Sequence, residues 1–585
     1  MSNNTEKTSI LQSAEYSNKN DRFRDKKRPM SQVYLDALIP REDLEIEEQK
    51  IFAKQTSDIE ISSLKKGAMF MESLRKPQFQ RSTIEWTPEK VFNLVKSFTN
   101  GHLIPSIILW KGGGYNFVID GAHRLSALIA WVNDDYGIGY LSQPFFTSTL
   151  EKGQREKAKE TKKLIEEEIG AYKDIVHAYA NKGTSDPKKF EIGERIASLS
   201  INLQWVPGNA SQAEDSFFKI NEAASPLDST EKRLLKARNK PMAIAARAII
   251  RAGSGHKYWG KFSEKSQSTI EETALEISDW LFKPQLSTPV KTMDIPLAGN
   301  SYAQATQELI LNVVNFSNQI KIVDASRIKK AEKFPENDIE DDTSDGQETV
   351  KYLVNTRKML ANLTGKLSSS LGLHPAIYFY SHQGRYQVTA FMAILPLIKE
   401  YEEKNQVLKF TKIRRRFEEF LWKHKALVNQ ATPVWGSGAK GYTNMFKLFD
   451  FIIKLFLEGK DEPEIISALD SNELYKFYKP GVRELNPKYK SDMSTETKSE
   501  AFMRQGVEAA LRCSICGGYL HINSIQVDHD KDISKGGIGN ADNGKLVHPF
   551  CNGSKTKLKA LGLSLYGHNQ PPVISSSPSS PEAEA

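Results

Sequence analysis

Apolar and polar residues alternate with different periods along this chain, and each change of period marks a change of architecture. From about residue 60 to 145, short apolar runs such as PSIILW and YNFVID are punctuated by GHLIP and KGGG, with PEKVFNLVKSF at helical spacing between them. This pattern predicts a small α+β domain. Residues 150–170, EKGQREKAKETKKLIEEEIG, alternate charge at i to i+4 spacing and predict an exposed helix, a spacer in preference to a partner site. From about 230 to 480 the apolar period is helical, as in ALEISDWLF, TQELILNVVNF and MFKLFDFIIKLFLEG, interrupted by the acidic stretch ENDIEDDTSDGQE. A helical domain with one exposed acidic loop is expected there. The ends carry few apolar residues: the opening is polar up to DRFRDKKRP, and the closing PPVISSSPSSPEAEA is rich in Pro and Ser.

The expected division is a polar arm over 1–58, an α+β domain with a helical insertion over 59–240, a helical domain over 241–500, a metal-binding module over 501–562 and a disordered tail over 567–585. At about 100 to 200 residues per domain, a chain of 585 residues predicts three or four units. No repeat of fixed period is visible, which argues against solenoids and propellers.

Composition adds limits. With 39% hydrophobic and 26% charged residues the chain falls in the ordinary soluble range. A net charge of +8 permits nucleic-acid binding without demanding it. The opening has no apolar core of a signal peptide, and runs such as PAIYFY and TAFMAILPLI are too short to span a bilayer, so a cytoplasmic protein without a membrane partner is expected. The stretch KFTKIRRRFEEFLWKHK sets Lys412, Arg414, Arg415, Arg416, Lys423 and Lys425 beside Trp422, and reads either as a phosphate-tracking face or as an ordinary amphipathic surface. The three cysteines, Cys513, Cys516 and Cys551, fall in one short segment, and in a reducing compartment that favours metal over disulfide.

That segment, CSICGGYLHINSIQVDHDKDISKGGIGNADNGKLVHPFCNGSKTKL, pairs Cys513 with Cys516 and then, at the same spacing, His548 with Cys551. Two such knuckles offer four ligands to a structural Zn2+, which supplies folding energy to a module too small to bury an adequate core. Between them SIQVDHD alternates like a strand, so Asp528 and His529 point to opposite faces, one able to hold a metal while the other meets substrate. Hydrolysis of a phosphodiester needs an activated water and a cation to neutralise growing negative charge. The segment resembles the HNH endonuclease family, in the form with Asp-His on the first strand, GG in the loop, then Asn543, then CNxxK opening the helix. The resemblance implies that His529 is the general base, that Asp528 and Asn552 bind a catalytic Mg2+ or Mn2+, that Asn543 orients the base, and that Lys555, with Lys557, approaches DNA phosphate. The spacing from Asn543 to Asn552 is similar to that of the HNH domains in CRISPR effector nucleases. His548 stands where many zinc-stapled relatives have cysteine, which leaves open whether it serves zinc or the catalytic ion; the knuckle spacing favours zinc. The alternative is a zinc knuckle that binds without cutting.

A second constellation runs FQRSTIEW, GHLIPSIIL, YNFVIDGAHRLSALIAW and DSFFKINEAASPLDSTEKRLL. VID ending a strand, a Gly121 turn and RLSALIAW as a helix place Asp120, His123 and Arg124 at a strand-to-helix corner, where backbone N–H groups and Arg124, with Arg81 from an earlier segment, suit a phosphate. This order of motifs is similar to the ParB-related superfamily, in particular the DGQQR-type domain of modification-dependent restriction enzymes of the GmrSD kind; FFKIN and SPLDSTE resemble its closing motif, with Asn221, Leu227 and Glu231. The resemblance implies binding and hydrolysis of a nucleoside triphosphate and an HNH-type nuclease at the other end of the chain. Ala122 and His123 replace the two usual glutamines, so DGAHR is nearer the DGxHR form of other ParB-like proteins and puts hydrolysis, more than binding, in doubt. Alternatively DGAHR only caps a helix and anchors the fold through ion pairs.

The expectation is thus a multidomain α+β protein with a ParB-like α+β N-terminal domain, a mostly helical middle domain and a C-terminal zinc-stapled ββα-metal (HNH) module. Its expected function is that of a DNA endonuclease gated by the first domain and acting in restriction of foreign, modified DNA. One cutting site per chain implies a homodimer or two successive nicks for a double-strand break. The rival functions are a ParB-like nucleic-acid-binding regulator with an inactive HNH module, and a nuclease of RNA or branched DNA.

Overall fold

The computed structural model describes residues 32–42, 55–77, 86–145, 152–183, 186–224, 229–254, 257–301, 304–323, 334–481 and 492–563. Residues 1–31 and 43–54 of the polar arm expected over 1–58, and the tail expected over 567–585, lie outside them. The chain divides into two compact units, Met1–Leu227 and Asp228–Ala585. The rest of the arm is corrected: Val33, Leu35, Leu38 and Ile39 are buried in the core of the first unit and Arg41–Glu42 is a strand of its sheet, because a few apolar residues in a polar stretch suffice to dock it.

The first unit is built on a six-stranded mixed sheet. Its strands are β1 (Arg41–Glu42), β2 (Asp58–Glu60), β3 (Leu74–Pro77), β4 (Ile107–Gly112), β5 (Tyr115–Asp120) and β6 (Ser200–Trp205), in the spatial order β1-β3-β5-β4-β6-β2. The KGGG turn closes a β4–β5 hairpin in which Gly112 pairs with Tyr115 and Lys111 with Asn116. Phe117, Val118 and Ile119 are buried in succession, so β5 is covered on both faces, as a central strand should be. Helix α1 (Pro88–Thr99) starts on a Thr87 cap with Pro88 in its first turn, and α2 (Ala122–Asn133) follows β5 directly. Helix α2 is buried on nearly every side, with Leu125, Leu128 and Trp131 in the core.

Helix α3 (Lys152–Glu168) corrects the reading of a charged spacer. Its outward face carries the expected pairs, Lys162 with Glu166 and Lys163 with Glu167, but Ala158, Thr161 and Ile165 are buried, the apolar two of them in the core of the first unit. An amphipathic helix with only a narrow apolar stripe looks wholly polar by composition. Helices α4 (Tyr172–Ala180) and α5 (Pro187–Ala197) complete the insertion before β6, and α6 (Ala210–Ala224) closes the unit.

The second unit is mostly helical, as the 3.6-residue period predicts. Helices α7 (Ser229–Lys236), α8 (Pro241–Ile250), α9 (Glu264–Phe282), α10 (Gln304–Ser317), α11 (Gln347–Leu363), α12 (Val388–Glu403), α13 (Val407–Lys423) and α14 (Ala439–Leu457) bury one continuous core, in which Trp259, Phe391, Phe417 and Leu448 are wholly enclosed. The acidic stretch is not simply an exposed loop. Glu336 is buried against Arg233 and the Asn315 amide, and the buried Asp342 accepts from the Thr349 N–H at 2.7 Å and its hydroxyl at 2.6 Å, tying down the start of α11.

The basic stretch on α13 is divided between core and surface. Arg414 is fully buried and gives its Nε to Glu418 Oε1 at 2.6 Å. The buried Lys425 donates to the Ile377 carbonyl, while Arg415, paired with Glu419, Arg416, which donates to the Lys460 carbonyl, Lys423, paired with Glu462, and Lys412 are exposed. The Arg414–Glu418 pair joins three distant segments. Arg414 also donates to the Leu371 carbonyl and, at 3.0 Å, to the Gly372 carbonyl; Glu418 accepts from the Tyr378 hydroxyl at 3.0 Å and from the Tyr519 N–H at 2.7 Å.

The last part of this unit is a small ββα arrangement, β7 (Gln526–His529) antiparallel to β8 (Gly544–Val547), followed by the short helices α15 (Pro549–Gly553) and α16 (Lys555–Ala560). Its own apolar core is small: Cys513, Ile515, Cys516, Leu520, Val547, Cys551, Leu558 and Leu563. It leans on the helices. His521 donates to the Ile295 carbonyl at 3.1 Å, and burial holds its imidazole down to about 4, so it stays neutral.

Removing one partner of a buried pair strands the other's charge, so Arg414→Ala should destabilise the second unit by about 3–5 kcal/mol. Arg415→Ala, which breaks a half-exposed pair, should cost under about 1 kcal/mol. Urea denaturation of the full chain followed by tryptophan fluorescence checks both.

Candidate functional site

Cys513, Cys516, His548 and Cys551 converge. Their ligand atoms lie within 4.8 Å of one another and all four residues are buried. His548 Nδ1 is 3.4 Å from Cys516 Sγ and 3.9 Å from Cys551 Sγ. Zinc bonds of about 2.0–2.3 Å in a tetrahedron give ligand-to-ligand edges of about 3.5–3.8 Å, so the donor set fits a structural zinc in both chemistry and size. The first knuckle turns through Gly517, which has φ +71, and a Cβ on Gly518 would meet Arg414 Nε at 2.7 Å. Backbone N–H groups of Gly518 and His548 point at Cys516 and Cys513 sulfur at 3.4 and 3.5 Å. The Tyr519 carbonyl, 3.0 Å from His548 Nε2, can only accept; the proton therefore sits on Nε2 and Nδ1 turns its lone pair to the thiols. The geometry thus places His548 with the three cysteines.

Next to this cluster, β7 delivers the Asp-His pair. Asp528 lies opposite Lys545 and His529 opposite Gly544. Gln526 and Asp528 share one face by strand alternation, and α15 and α16 lie against it: Asn552 Nδ2 donates to Gln526 Oε1 at 3.0 Å, and Lys555 Nζ is 3.1 Å from Asp528 Oδ2. The same ammonium is 3.1 Å from Asp532 Oδ1, and this hydrogen bond lowers the Asp532 carboxyl below its ordinary range. Asp528 is thus paired with an ammonium, and its carboxylate together with the Asn552 amide oxygen would make a hard donor set of the kind Mg2+ or Mn2+ takes while keeping several waters. The other face of β7 carries His529 and an exposed Val527.

Asn543 clamps the loop between the strands. Its Oδ1 accepts from the Lys531 N–H at 2.7 Å and its Nδ2 donates to the Lys531 and Ile538 carbonyls at 3.1 and 2.8 Å. It thereby fixes the backbone two residues beyond His529. Lys557 is exposed on α16.

In the first unit, β5 ends on Asp120, and Gly121 turns the chain into α2 with φ +93, where a Cβ would meet Ile107 Cδ1 at 2.6 Å. Arg124 NH2 reaches back to Asp120 Oδ2 at 2.6 Å and to the Ser106 carbonyl at 3.1 Å. His123 stacks on Trp86, ring centroids 5.7 Å apart. The corner predicted from DGAHR is thus present, but its arginine is engaged by its own aspartate. Asn221 falls on α6, Glu231 on α7, and Arg81 and Leu227 lie outside the described residues.

Residues 57–239 match the family model of the GmrSD restriction endonuclease, N-terminal domain. No curated protein and no solved structure matches the chain. The GmrSD-type segment takes in five of the six strands, from β2 to β6, together with the DGAHR corner and the helical insertion, and it ends after α7. The zinc-type cluster and the Asp-His strand lie outside it.

The parts played by three residues of the site region are not predicted from the sequence. Gln526 was legible in principle, since it stands two residues before Asp528 on the same strand face. Arg414 and Glu418 were not, because nothing local reveals that their partners lie more than 40 residues away for Leu371 and Gly372 and 101 for Tyr519.

Protein purified without chelator should carry one zinc per chain by plasma mass spectrometry. Cys551→Ser should lose most of it, and Asp528→Ala should retain it.

Proposed function

We propose that this protein is a metal-dependent DNA endonuclease of the HNH type, gated by its GmrSD-type segment. The observation that carries the reading is the joint placement of Asp528, Asn552 and Lys555 on one side of a ββα unit whose strand turns His529 to the other side. His529 takes a proton from the attacking water at an imidazole nitrogen, as the P–O bond to the leaving oxygen breaks. Asp528 and the Asn552 side-chain oxygen would hold a divalent Mg2+ or Mn2+, which when bound would neutralise charge growing on the phosphate. Asn543 keeps the loop after His529 in place, and Lys555 and Lys557 supply positive charge toward the DNA backbone.

The match of residues 57–239 to a restriction endonuclease domain supports a role in restriction of foreign, modified DNA. A nucleoside triphosphate binding at the Asp120, Gly121, His123 and Arg124 corner, with Arg81 and Asn221, is the proposed control. A phosphate there competes with Asp120 for Arg124, and that exchange is a physical means of switching. The protein acts in the cytoplasm, and a homodimer brings two cutting sites to one duplex.

The deciding assay is cleavage of plain and modified phage DNA with Mg2+ or Mn2+, with and without nucleoside triphosphates. His529→Ala should lower cutting by about 10²–10⁴-fold, the range general-base removal usually costs, while zinc content stays unchanged. An undiminished rate refutes the role of His529. If no DNA is cut under any condition, the regulator with an inactive module takes over.

Arg124→Ala should weaken nucleoside triphosphate binding about tenfold or more, as loss of a charge-assisted pair worth about 1.5–3 kcal/mol requires. Equal affinities in a fluorescence titration would leave Arg124 as a structural anchor only.

A further inference from the structure

Gln526 lies on β7 between two parts of the second unit. Its Nε2 donates to the Lys366 carbonyl at 3.2 Å, and its Oε1 accepts from Asn552 Nδ2 at 3.0 Å. The direction of this chain is forced from one end. A backbone carbonyl has lone pairs and no proton, so the Gln526 atom facing Lys366 must be the NH2 group. The atom facing Asn552 is then the oxygen, and Asn552 must meet it with its own NH2 group. Asn552 Oδ1 is thereby turned away from Gln526, and among the described residues it accepts no hydrogen bond. With the amide reversed, Asn552 would offer the ion an NH2 group, which cannot be a ligand.

The Lys366 carbonyl is itself held. The segment from Gly365 to Ser370 follows α11 and is tied at both ends to the ββα unit: Ser524 Oγ bonds both the N–H and the carbonyl of Gly365, at 2.7 and 2.9 Å, and the Phe550 N–H donates to the Ser370 carbonyl at 3.0 Å. A Cβ on Gly553 would lie 3.2 Å from Ser368 Cβ, so α15 packs closely against this segment.

We infer that Gln526 is a positioning residue that sets the Asn552 amide with its oxygen toward the divalent ion, and that the Lys366 carbonyl of the helical region sets Gln526. The inference rests on the nuclease reading above, in which Asn552 is a metal ligand. It makes the metal site conditional on the helical region: a shift of residues 365–370 that withdraws the carbonyl frees Gln526 to turn over and Asn552 with it.

Mn2+ binding to the zinc-loaded full chain, by calorimetry and by the Mn2+ electron paramagnetic resonance signal, tests this without any cleavage assay. Gln526→Met, similar in length and without polar hydrogens, should weaken Mn2+ binding about 10–100-fold, the usual loss when a partner that orients a ligand is removed. Zinc content and thermal midpoint report on folding, and Gln526→Ala serves in its place if the Met variant is unstable. In an Asn552→Asp background both side-chain atoms are oxygen and orientation no longer matters, so Gln526→Met should there change the affinity less than about twofold. Wild-type affinity in Gln526→Met, or the same loss in both backgrounds, overturns the positioning role. Failure of the wild type to bind Mn2+, or unaltered binding by Asp528→Ala, sinks the nuclease reading instead.

Discussion

A fully buried arginine beside a fully buried glutamate is the constraint around which the second unit is arranged. Arg414 and Glu418 are charges in a medium of low dielectric, and such charges persist only when every lone pair and proton has a partner. The partners come from the Leu371–Gly372 backbone, the Tyr378 hydroxyl and the Tyr519 N–H, that is, from the helical region and the cysteine knuckle alike. Because Gly518 must lack a side chain for Arg414 to pass, and Tyr519 must turn its N–H to Glu418, the pair shapes the knuckle that presents Cys513 and Cys516. A module whose own core is only a few side chains thereby borrows order from a large one.

The same logic of directed polar groups runs outward to the candidate catalytic face. The Tyr519 carbonyl selects the His548 tautomer and so aims Nδ1 at the thiols. Asn543 spends both ends of its amide on the backbone of the loop beyond His529. In each case backbone groups of fixed polarity decide the orientation of a side chain that can both donate and accept. In the first unit the Asp120–Arg124 pair plays a comparable part, closing the corner that the Gly121 turn opens.

Charge-rich stretches show where reading by composition failed. The basic run on α13 reads equally as a phosphate face or an amphipathic surface, and the fold divides it: Arg414 and Lys425 are buried on Glu418 and a main-chain carbonyl, while Lys412, Arg415, Arg416 and Lys423 stay at the surface. The acidic stretch near residue 340 hides Glu336 and Asp342, and the charged helix α3 buries Ile165. A charge in a sequence announces a need for partners or water, and the sequence does not say which is met.

What the sequence determined by itself is what depends on neighbours along the chain. The knuckle spacing of Cys513, Cys516, His548 and Cys551, the alternation that parts Asp528 from His529, the KGGG turn and the helical period from 230 to 480 are all set by bond geometry within a few residues. The DGAHR corner belongs with them, since its Gly121 turn and its i to i+4 pair are local. Tertiary structure alone decided that Arg414 is a core residue, which nitrogen of His548 faces the thiols, and that Gln526 stands between Asn552 and the Lys366 carbonyl 160 residues earlier. Those outcomes rest on hydrogen bonds between segments that meet only when the core closes, and no period or spacing along the chain encodes which donor will find which acceptor.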